Sequence, residues 1–506
     1  MNRRSFLASS LAASAALKVS AAERVNHRLP VRDSHYRATQ TYVEDVPIPE
    51  YQWASDAAYE RFRDIKYGVR LHWGLYSILG EPKESWPFLE MSFADRQRYQ
   101  AMYQTWNPQG FHADEWMDFF AGCGMKMFAF TSKHHEGFSM FDTQTRVRRR
   151  VNWTAPGGPK MEDCNLAYSI METPFRRDVV KELCEAARKR DIKIDLYFSH
   201  PDWYDADFRP YTYHPLQVPS SNVLTMDYPT ARKRLGDREV IVPDPTPAEV
   251  TRMFARHRAQ LSELLTRYGT IDMLCLDMWL GPKVWPQLRD TILHLRKLQP
   301  DVMLRARGIG NYGDYYTPEG FVPGDKGNTD APWFVIYPLG TSFSYERVAE
   351  NHKGASWVVR NLVDSVAKGG GFMVGIGPDG NGRFHPTAVS QLKEAGEWLK
   401  VNGAGIYATR ARDGELWSEG ADIRFTRTKD KRTIYAFVLK WPGEKLVLHS
   451  VRPAAGSSIV MLGTNTSLKW TAQESGVEIE IPAGLQDESR RPCRFAWGFQ
   501  IRTAEA

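Results

Sequence analysis

The chain has 506 residues, of which 42% are hydrophobic and 25% are charged. This length exceeds one ordinary domain, and the composition is that of a globular protein. The formal net charge is +6, and the basic residues are scattered except for a short run at 146–150. A charge this dispersed indicates no nucleic-acid partner.

The first 21 residues predict an export signal. Paired arginines, Arg3 and Arg4, precede an Ala/Leu/Ser stretch, and Val19-Ser20-Ala21 forms a small-residue cleavage site. This order resembles a twin-arginine signal, and an ordinary secretory signal that carries two arginines is the alternative. Because the apolar stretch is too short to remain in a membrane, we expect a bacterial periplasmic or secreted protein without a membrane anchor.

The cysteines are widely spaced and include no Cys-x-x-Cys pair. This pattern predicts neither a zinc site nor a disulfide framework, so we expect mostly free, buried thiols. The five positions are Cys123, Cys164, Cys184, Cys275 and Cys493.

Apolar strands alternate with amphipathic helices between residues 61 and 407. Strands are predicted at 67–74, 125–135, 192–199, 271–278, 302–307 and 371–378, and helices near 175–190, 247–267, 285–298, 355–367 and 387–401. Such repeated units indicate a parallel sheet covered by helices. Since polar residues collect where strands end, we predict an α/β fold, a (β/α)8-type barrel with its site at the carboxyl ends of the strands. A doubly wound open sheet is the alternative, although no GxGxxG turn follows the first strand.

Three further segments flank or interrupt this pattern. Residues 22–60 are polar and contain proline, which predicts an extended lead-in. A Pro- and Tyr-rich insertion at 201–246 stands where barrels place specificity loops. Short alternating strands after residue 408 predict a small antiparallel β-sandwich over 408–506.

A lone acidic residue in an apolar run is the first candidate for chemistry. Asp277 ends the strand IDMLCLD, where a carboxylate needs either a partner or a function. Glu319 follows in the turn-rich segment GDYYTPEGF. Two carboxylates among His, Trp and Tyr residues are the groups that a glycosidase uses, and a paired structural carboxylate is the alternative for Asp277.

Other polar side chains also stand at predicted strand ends. His72, Tyr197 and Arg307 each end or follow a strand, and a pair of adjacent histidines, His134 and His135, follows the second. Each has a structural explanation when taken singly, as a core histidine, a packing residue or an ion pair. Because strand ends converge in a barrel, we expect these side chains to line one pocket. Adjacent histidines would face opposite sides of a strand unless the strand ends before them.

These residues lie in segments that resemble the motif series of the glycoside hydrolase family 29 α-L-fucosidases. The segments are KYGVRLHWGLYS, FAFTSKHHEGFSMFD, LYFSHPDW, LCLDMW, GDYYTPE and VAKGGGFMVGIGPDGNG, in that order. The resemblance implies a retaining exo-hydrolase that removes terminal α-L-fucosyl groups from fucosylated glycans and requires no metal and no cofactor.

The resemblance also implies a role for each matching residue. Asp277 corresponds to the nucleophile and Glu319 to the acid/base, with Glu84, Glu90 and Glu136 as further candidates for the acid. Retention requires the two carboxyl groups to lie about 5–5.5 Å apart, and the pKa of Glu319 is expected to exceed that of Asp277. Contacts with the sugar are implied for His72, His134, His135, Tyr197, Arg307, Phe343, which would pack on the C5-methyl edge, and Trp86.

The chain departs from the family pattern at several of these motifs. Arg305-Ala306 stands where the family often has Asn-Asp before the arginine, Trp333-Phe334 replaces a Trp-Glu pair, and Gly375 replaces an asparagine. These departures leave the identity of the sugar open, so an α-L-galactosidase or another α-L-glycosidase on the same scaffold is the first alternative. A metal-dependent amidohydrolase and a non-catalytic sugar-binding protein are more remote alternatives.

Overall fold

The computed structural model describes residues 44–80, 83–209, 214–216, 245–320, 322–323 and 330–503. The predicted export signal, the first part of the predicted lead-in and much of the 201–246 insertion lie outside the described residues.

A parallel sheet forms the centre of the larger part of the chain. The strands of this part are β1 (Tyr67–Leu71), β2 (Met127–Lys133), β3 (Val147–Asn152), β4 (Lys160–Leu166), β5 (Lys193–Ser199), β6 (Met273–Asp277), β7 (Met303–Leu304), β8 (Phe334–Pro338) and β9 (Gly371–Ile376). Strands β3 and β4 form a separate hairpin, and the other strands form one parallel sheet in the order β7-β6-β5-β2-β1-β9-β8.

Residues 315–319 join the two edges of this sheet. Parallel bridges pair Arg305 with Tyr315 and Glu319 with Ile336. The segment therefore occupies the eighth position, between β7 and β8, and connects the edges into a barrel. The (β/α)8-type prediction is confirmed, and the open doubly wound alternative is wrong.

Helices cover the outside of the barrel. They are α1 (Asp56–Ile65), α2 (Tyr76–Leu79), α3 (Phe93–Ala101), α4 (Ala113–Gly122), α5 (Val179–Arg188), α6 (Pro247–Thr266), α7 (Trp285–Leu298), α8 (Ala355–Ala367) and α9 (Pro386–Asn402). The bounds of α6 to α9 lie within one residue of the predicted ones, because strong apolar periodicity and prolines near the first turns of α6, α7 and α9 mark these helices in the sequence.

Helix α1 closes the amino-terminal end of the barrel. It begins at Asp56, inside the range predicted as an extended lead-in. The reason is local: the Ser55 side chain accepts a hydrogen bond from the Ala58 amide and caps the first turn. The buried face of α1 packs in one apolar cluster with inward-facing strand residues, and the ring of Phe62 lies 5.0 Å from that of Phe334.

The interior of the barrel changes from apolar to charged along the strands. Methionines at 127, 273, 303 and 373 belong to the apolar cluster beside α1. Beyond this cluster lie Arg70, two residues after Gly68, which pairs with Met127, and Cys275 and Arg305, each two residues after a methionine. Both guanidinium groups contact the Cys275 Sγ, at 3.1 Å from Arg70 and 3.3 Å from Arg305. Side chains two residues apart share a face of a strand, so the next position on each strand faces the carboxyl-end mouth.

Two antiparallel sheets follow the barrel. Their strands are β10 (Ser418–Glu419), β11 (Ile423–Arg427), β12 (Thr433–Val438), β13 (Lys445–Leu448), β14 (Ile459–Met461), β15 (Ser467–Leu468), β16 (Trp470–Gln473), β17 (Gly476–Glu480) and β18 (Trp497–Arg502). One sheet has the order β10-β11-β12-β18-β14-β15 and the other β13-β17-β16. Residues of both sheets, such as Phe499 and Ile479, share one apolar cluster. The predicted β-sandwich is confirmed, and its boundary at 407–408 stays a prediction.

All five cysteines are free, and Cys123, Cys184 and Cys275 are buried, as predicted. Among the residues that the structure describes, no helix has both the length and the apolar character that a membrane crossing requires.

Helix α6 begins with a reciprocal cap that can be tested. The Thr246 hydroxyl accepts from the Glu249 amide, and the Glu249 carboxylate accepts from the Thr246 amide. We predict that Thr246→Ala lowers the free energy of unfolding by about 1 kcal/mol, because it leaves an amide of the first turn unsatisfied. Urea unfolding measures the change. Thr251→Ala, at an exposed position on the same helix, is the matched control, and an equal loss in both variants would contradict the role of the cap.

Candidate active site

Strand β2 ends at Lys133, so His134 and His135 both lie beyond the strand. The two ring centroids are 4.1 Å apart, and the two rings therefore belong to one site. A serine hydroxyl holds each ring at Nδ1: Ser85 Oγ lies 2.6 Å from His134, and Ser199 Oγ hydrogen-bonds to His135. These serines leave Nε2 as the ring atom that can meet a ligand.

An aromatic wall surrounds the histidines. His72 follows β1, and its ring centroid lies 5.6 Å from His134, 5.8 Å from Tyr197 and 5.3 Å from Phe343. Trp86 begins a short 3₁₀ helix, Trp86–Leu89. Its ring meets His135 edge-on at 4.8 Å. The structure thus brings all the predicted aromatic and histidine positions together.

The two candidate carboxylates share the same arginines. Arg307 Nη1 donates to Asp277 Oδ1 at 2.9 Å, and its Nη2 donates to Glu319 Oε1 at 2.6 Å. Arg305 repeats the arrangement at 3.4 Å and 3.0 Å. Tyr197 donates its hydroxyl proton to Asp277 Oδ2 at 2.6 Å. Each guanidinium group therefore bridges Asp277 and Glu319 and keeps their oxygens close together.

Both carboxyl groups are ionised in this arrangement. Burial alone would raise the pKa of Asp277, but Arg307 and Arg305 hold it well below its usual range. The pKa of Glu319 is also lowered, because the same arginines outweigh its desolvation. Arg305, whose charge the sequence analysis did not place against this group, thus disfavours a proton on Glu319 in the unliganded site. The expected order, with the pKa of Glu319 above that of Asp277, stays a prediction.

Solvent access distinguishes the two carboxylates. The Asp277 side chain is 10% exposed to solvent, and the Glu319 side chain is 35% exposed. Asp277 thus lies at the base of the site, and Glu319 lies toward the solvent.

The further acid candidates differ in their surroundings. Burial raises the pKa of Glu84 to about 7, although the amides of Phe343 and Ser344 donate to its Oε1. Burial raises the pKa of Glu136 to about 8, and its Oε2 lies 3.6 Å from His134 Nδ1. Glu90 is exposed at the end of the 3₁₀ helix.

The histidines of the site are neutral. Burial lowers the pKa of His134 to about 3 and holds those of His72 and His135 well below their usual range. A neutral imidazole offers one donor and one acceptor, which suits the hydroxyl groups of a sugar.

Two glycines allow close approaches at the site. A Cβ at Gly375 would lie 2.4 Å from Phe343 Cδ1, so the glycine makes room for this ring. Gly308 has φ +81, and a Cβ there would lie 2.0 Å from the carbonyl oxygen of Met278. The second contact packs the loop after β7 against the residue that follows Asp277.

Sequence reasoning assigned no role in the site to Ser85, Ser199 or Arg305. Residues two apart on a strand face the same side, and this alternation was the available signal for two of them. Arg305 stands two residues before Arg307, and Ser199 stands two residues after Tyr197. Within the described ranges, no group of three or more His, Cys, Asp or Glu residues is arranged to hold a metal ion.

Comparison with known proteins agrees with this geometry. A family model described as alpha-L-fucosidase matches residues 38–404, and one described as alpha-L-fucosidase C-terminal domain matches residues 418–502. Human tissue alpha-L-fucosidase is 27% identical over 516 residues, which cover 96% of this chain and 95% of that protein.

Solved structures share the fold. Alpha-L-fucosidase isoenzyme 1 from Paenibacillus thiaminolyticus has a TM-score of 0.71 at 23% identity, covering 88% of this chain and 99% of its own. A family 29 α-L-fucosidase from Bacteroides thetaiotaomicron, solved as a trapped covalent intermediate with 2-fluoro-fucosyl fluoride, has a TM-score of 0.68 at 22% identity, covering 90% and 99%. The match of the family model to most of the chain shows that this protein belongs to the glycoside hydrolase family 29 α-L-fucosidases.

Proposed function

We propose that this protein is a retaining exo-α-L-fucosidase that removes terminal α-L-fucosyl groups from glycans by double displacement. One observation supports this function above the others: Asp277 and Glu319 are bridged by the same two guanidinium groups beside a pocket of neutral histidines. Two carboxyl groups held this close together favour retention over inversion.

In the first step, an oxygen of Asp277 forms a bond to the anomeric carbon while the glycosidic C–O bond breaks. Glu319 donates a proton to the departing oxygen. In the second step Glu319 takes a proton from water, the water oxygen bonds to the anomeric carbon, and the bond to Asp277 breaks. The trapped covalent intermediate of the Bacteroides relative supports the same course for this chain.

The remaining site residues bind the sugar. The free Nε2 atoms of His134 and His135, together with His72, contact hydroxyl groups, and Trp86 closes one side of the pocket. Phe343 packs on the C5-methyl group. This contact favours fucose over L-galactose, whose C6 hydroxyl would meet the apolar ring.

Export and substrate form a further part of the proposal. The paired arginines and the small-residue cleavage site direct the protein out of the bacterial cytoplasm. Fucosylated oligosaccharides then reach the protein outside the cytoplasm. The loops at the carboxyl end of the barrel, including the 201–246 insertion, select the linkage.

Loss of the nucleophile is the most direct test. We predict that Asp277→Ala lowers kcat for p-nitrophenyl α-L-fucoside by at least about 10³-fold, because no covalent intermediate forms. Azide, which enters the space of the lost carboxylate, should restore part of the activity and yield a fucosyl azide, identified by NMR. Asp290→Ala, at an exposed position of α7, is the control. Hydrolysis by Asp277→Ala at the rate of this control would overturn the assignment.

Glu319 and Glu84 can be separated by leaving-group chemistry. We predict that Glu319→Ala reduces hydrolysis of a fucosyl disaccharide by about 10³-fold but that of the nitrophenyl fucoside by only about 10-fold, since a good leaving group needs little protonation. Glu84→Gln is the matched test, because Glu84 is the candidate whose pKa burial raises to about 7. If the leaving-group dependence appears in Glu84→Gln and not in Glu319→Ala, the acid is Glu84.

Phe343 provides a test of sugar selectivity. We predict that Phe343→Ala lowers the ratio of kcat/KM for α-L-fucoside over α-L-galactoside by about 10-fold, because the apolar contact with the C5-methyl group is lost. Phe343→Leu retains an apolar surface and should keep more of the ratio. An unchanged ratio in Phe343→Ala would place the selectivity for fucose elsewhere.

A further inference from the structure

Arg305 lies behind the two carboxylates and has no exposed surface. Its guanidinium group reaches Asp277 Oδ1 and Glu319 Oε1. Because solvent does not touch this side chain, a sugar that enters the pocket meets the carboxylates and Arg307 instead.

The backbone fixes Arg305 in this position before any substrate binds. Its amide donates to the Leu274 carbonyl at 3.0 Å, and the residue forms a parallel bridge with Tyr315. Gly313 packs against Ala306, the residue after Arg305, since a Cβ at Gly313 would lie 2.3 Å from Ala306 Cα. Arg305 therefore belongs to the wall of the barrel, and its side chain has little freedom to leave the carboxylates.

The charges at this level of the barrel are balanced. Three guanidinium groups, of Arg70, Arg305 and Arg307, face three carboxyl groups, of Asp195, Asp277 and Glu319. The uncharged groups around them are His72 from the end of β1, His134 and His135 beyond β2, Tyr197 on β5, Cys275 on β6 and Tyr315 in the joining segment. Two further carboxyl groups lie near the site and titrate close to neutral pH: burial raises the pKa of Glu84 to about 7 and that of Glu136, beside His134, to about 8. Loss of Arg305 would leave this level with an excess of negative charge.

Arg305 supplies a positive charge to both carboxylates at once, with Nη1 3.4 Å from Asp277 Oδ1 and Nη2 3.0 Å from Glu319 Oε1. We propose that Arg305 is a positioning residue, which holds Asp277 and Glu319 together as an ionised pair in the free enzyme and thereby sets the pH range of hydrolysis. This inference rests on the proposed function.

The direction of the effect follows from the charge. A buried cation favours the ionised form of a carboxyl group, so removing Arg305 raises the pKa of both Asp277 and Glu319. The acid limb of the pH profile, which requires an ionised nucleophile, moves to higher pH. The alkaline limb, which requires a protonated acid, moves in the same direction.

Steady-state kinetics of Arg305 variants test this inference. For Arg305→Met and Arg305→Asn we expect kcat for p-nitrophenyl α-L-fucoside to fall by about 10- to 100-fold, KM to change by less than about 3-fold, and both pH limbs to rise by about one unit. Arg305→Lys keeps the charge, so its limbs should stay near those of the wild type. Arg296→Met, which removes a buried arginine paired with Asp314 outside the site, is the matched control and should leave both limbs in place.

The proposal would be overturned if the acid and alkaline limbs of the pH profile did not move in Arg305→Met and Arg305→Asn. It would equally be overturned by an Arg305→Lys variant whose limbs move as far as those of Arg305→Met. A rise in KM with an unchanged kcat would also overturn it, because it would make Arg305 a sugar-binding residue.

Thermal unfolding provides a second readout that needs no turnover. Carboxylates whose folded pKa is lowered stabilise the protein above the unfolded pKa and lose this contribution as pH falls. The difference in Tm between wild type and Arg305→Met should therefore shrink between about pH 4 and about pH 2, the interval between the unfolded pKa of a carboxyl group and the lowered pKa of Glu319. A difference that stays constant over this range would overturn the proposal. Absence of fucoside hydrolysis by the wild type would instead refute the proposed function, and the unfolding measurement would still decide the role of Arg305.

Discussion

The sharing of two carboxylates between two guanidinium groups is the interaction on which the site depends. Asp277 is almost fully buried, and a buried carboxylate without a partner costs several kcal/mol. Arg305 is fully buried as well, so neither charge is stable at its position without the other. Glu319 completes the set by accepting from both arginines. The positions and the charge states of these four side chains are therefore linked. A change that moves one of them also changes the ionisation of the carboxyl groups.

Barrel geometry brings these charges together. Inward-facing side chains recur at every second residue of a strand, so a site residue that continues a strand has a neighbour one step deeper in the barrel. Arg305 lies below Arg307, and Cys275 lies below Asp277. The deeper step is polar where an ordinary barrel core is apolar, and helix α1 together with the methionine layer separates it from the other end. The carboxylates at the mouth of the barrel thus have charged support from inside it.

Much of the fold follows from local sequence patterns. The parts that could not be predicted are those that form through pairings between distant residues. Helix periodicity and buried strands are local, which explains the agreement at α6 to α9. The segment 315–319 joins the sheet only through bridges to β7 and β8, and its turn-rich sequence carries no strand pattern. Strand β8 and the β3–β4 hairpin were not predicted for a similar reason. Within the site, strand ends indicated which residues converge, but the contacts of Arg305 and the serine partners of the histidines depend on side-chain geometry.

Retention requires one ionised and one protonated carboxyl group at the same moment, although the arginines favour two ionised groups. The asymmetry between the two positions resolves this conflict. Tyr197 donates to Asp277, and little solvent reaches that group. Glu319 has 35% of its side chain exposed, so water weakens the hold of the arginines on it. In the proposed mechanism, a proton that enters the pair therefore resides on Glu319, at the solvent-facing side, and Asp277 stays ionised. The structure separates the roles by exposure and hydrogen bonding rather than by opposite charge environments.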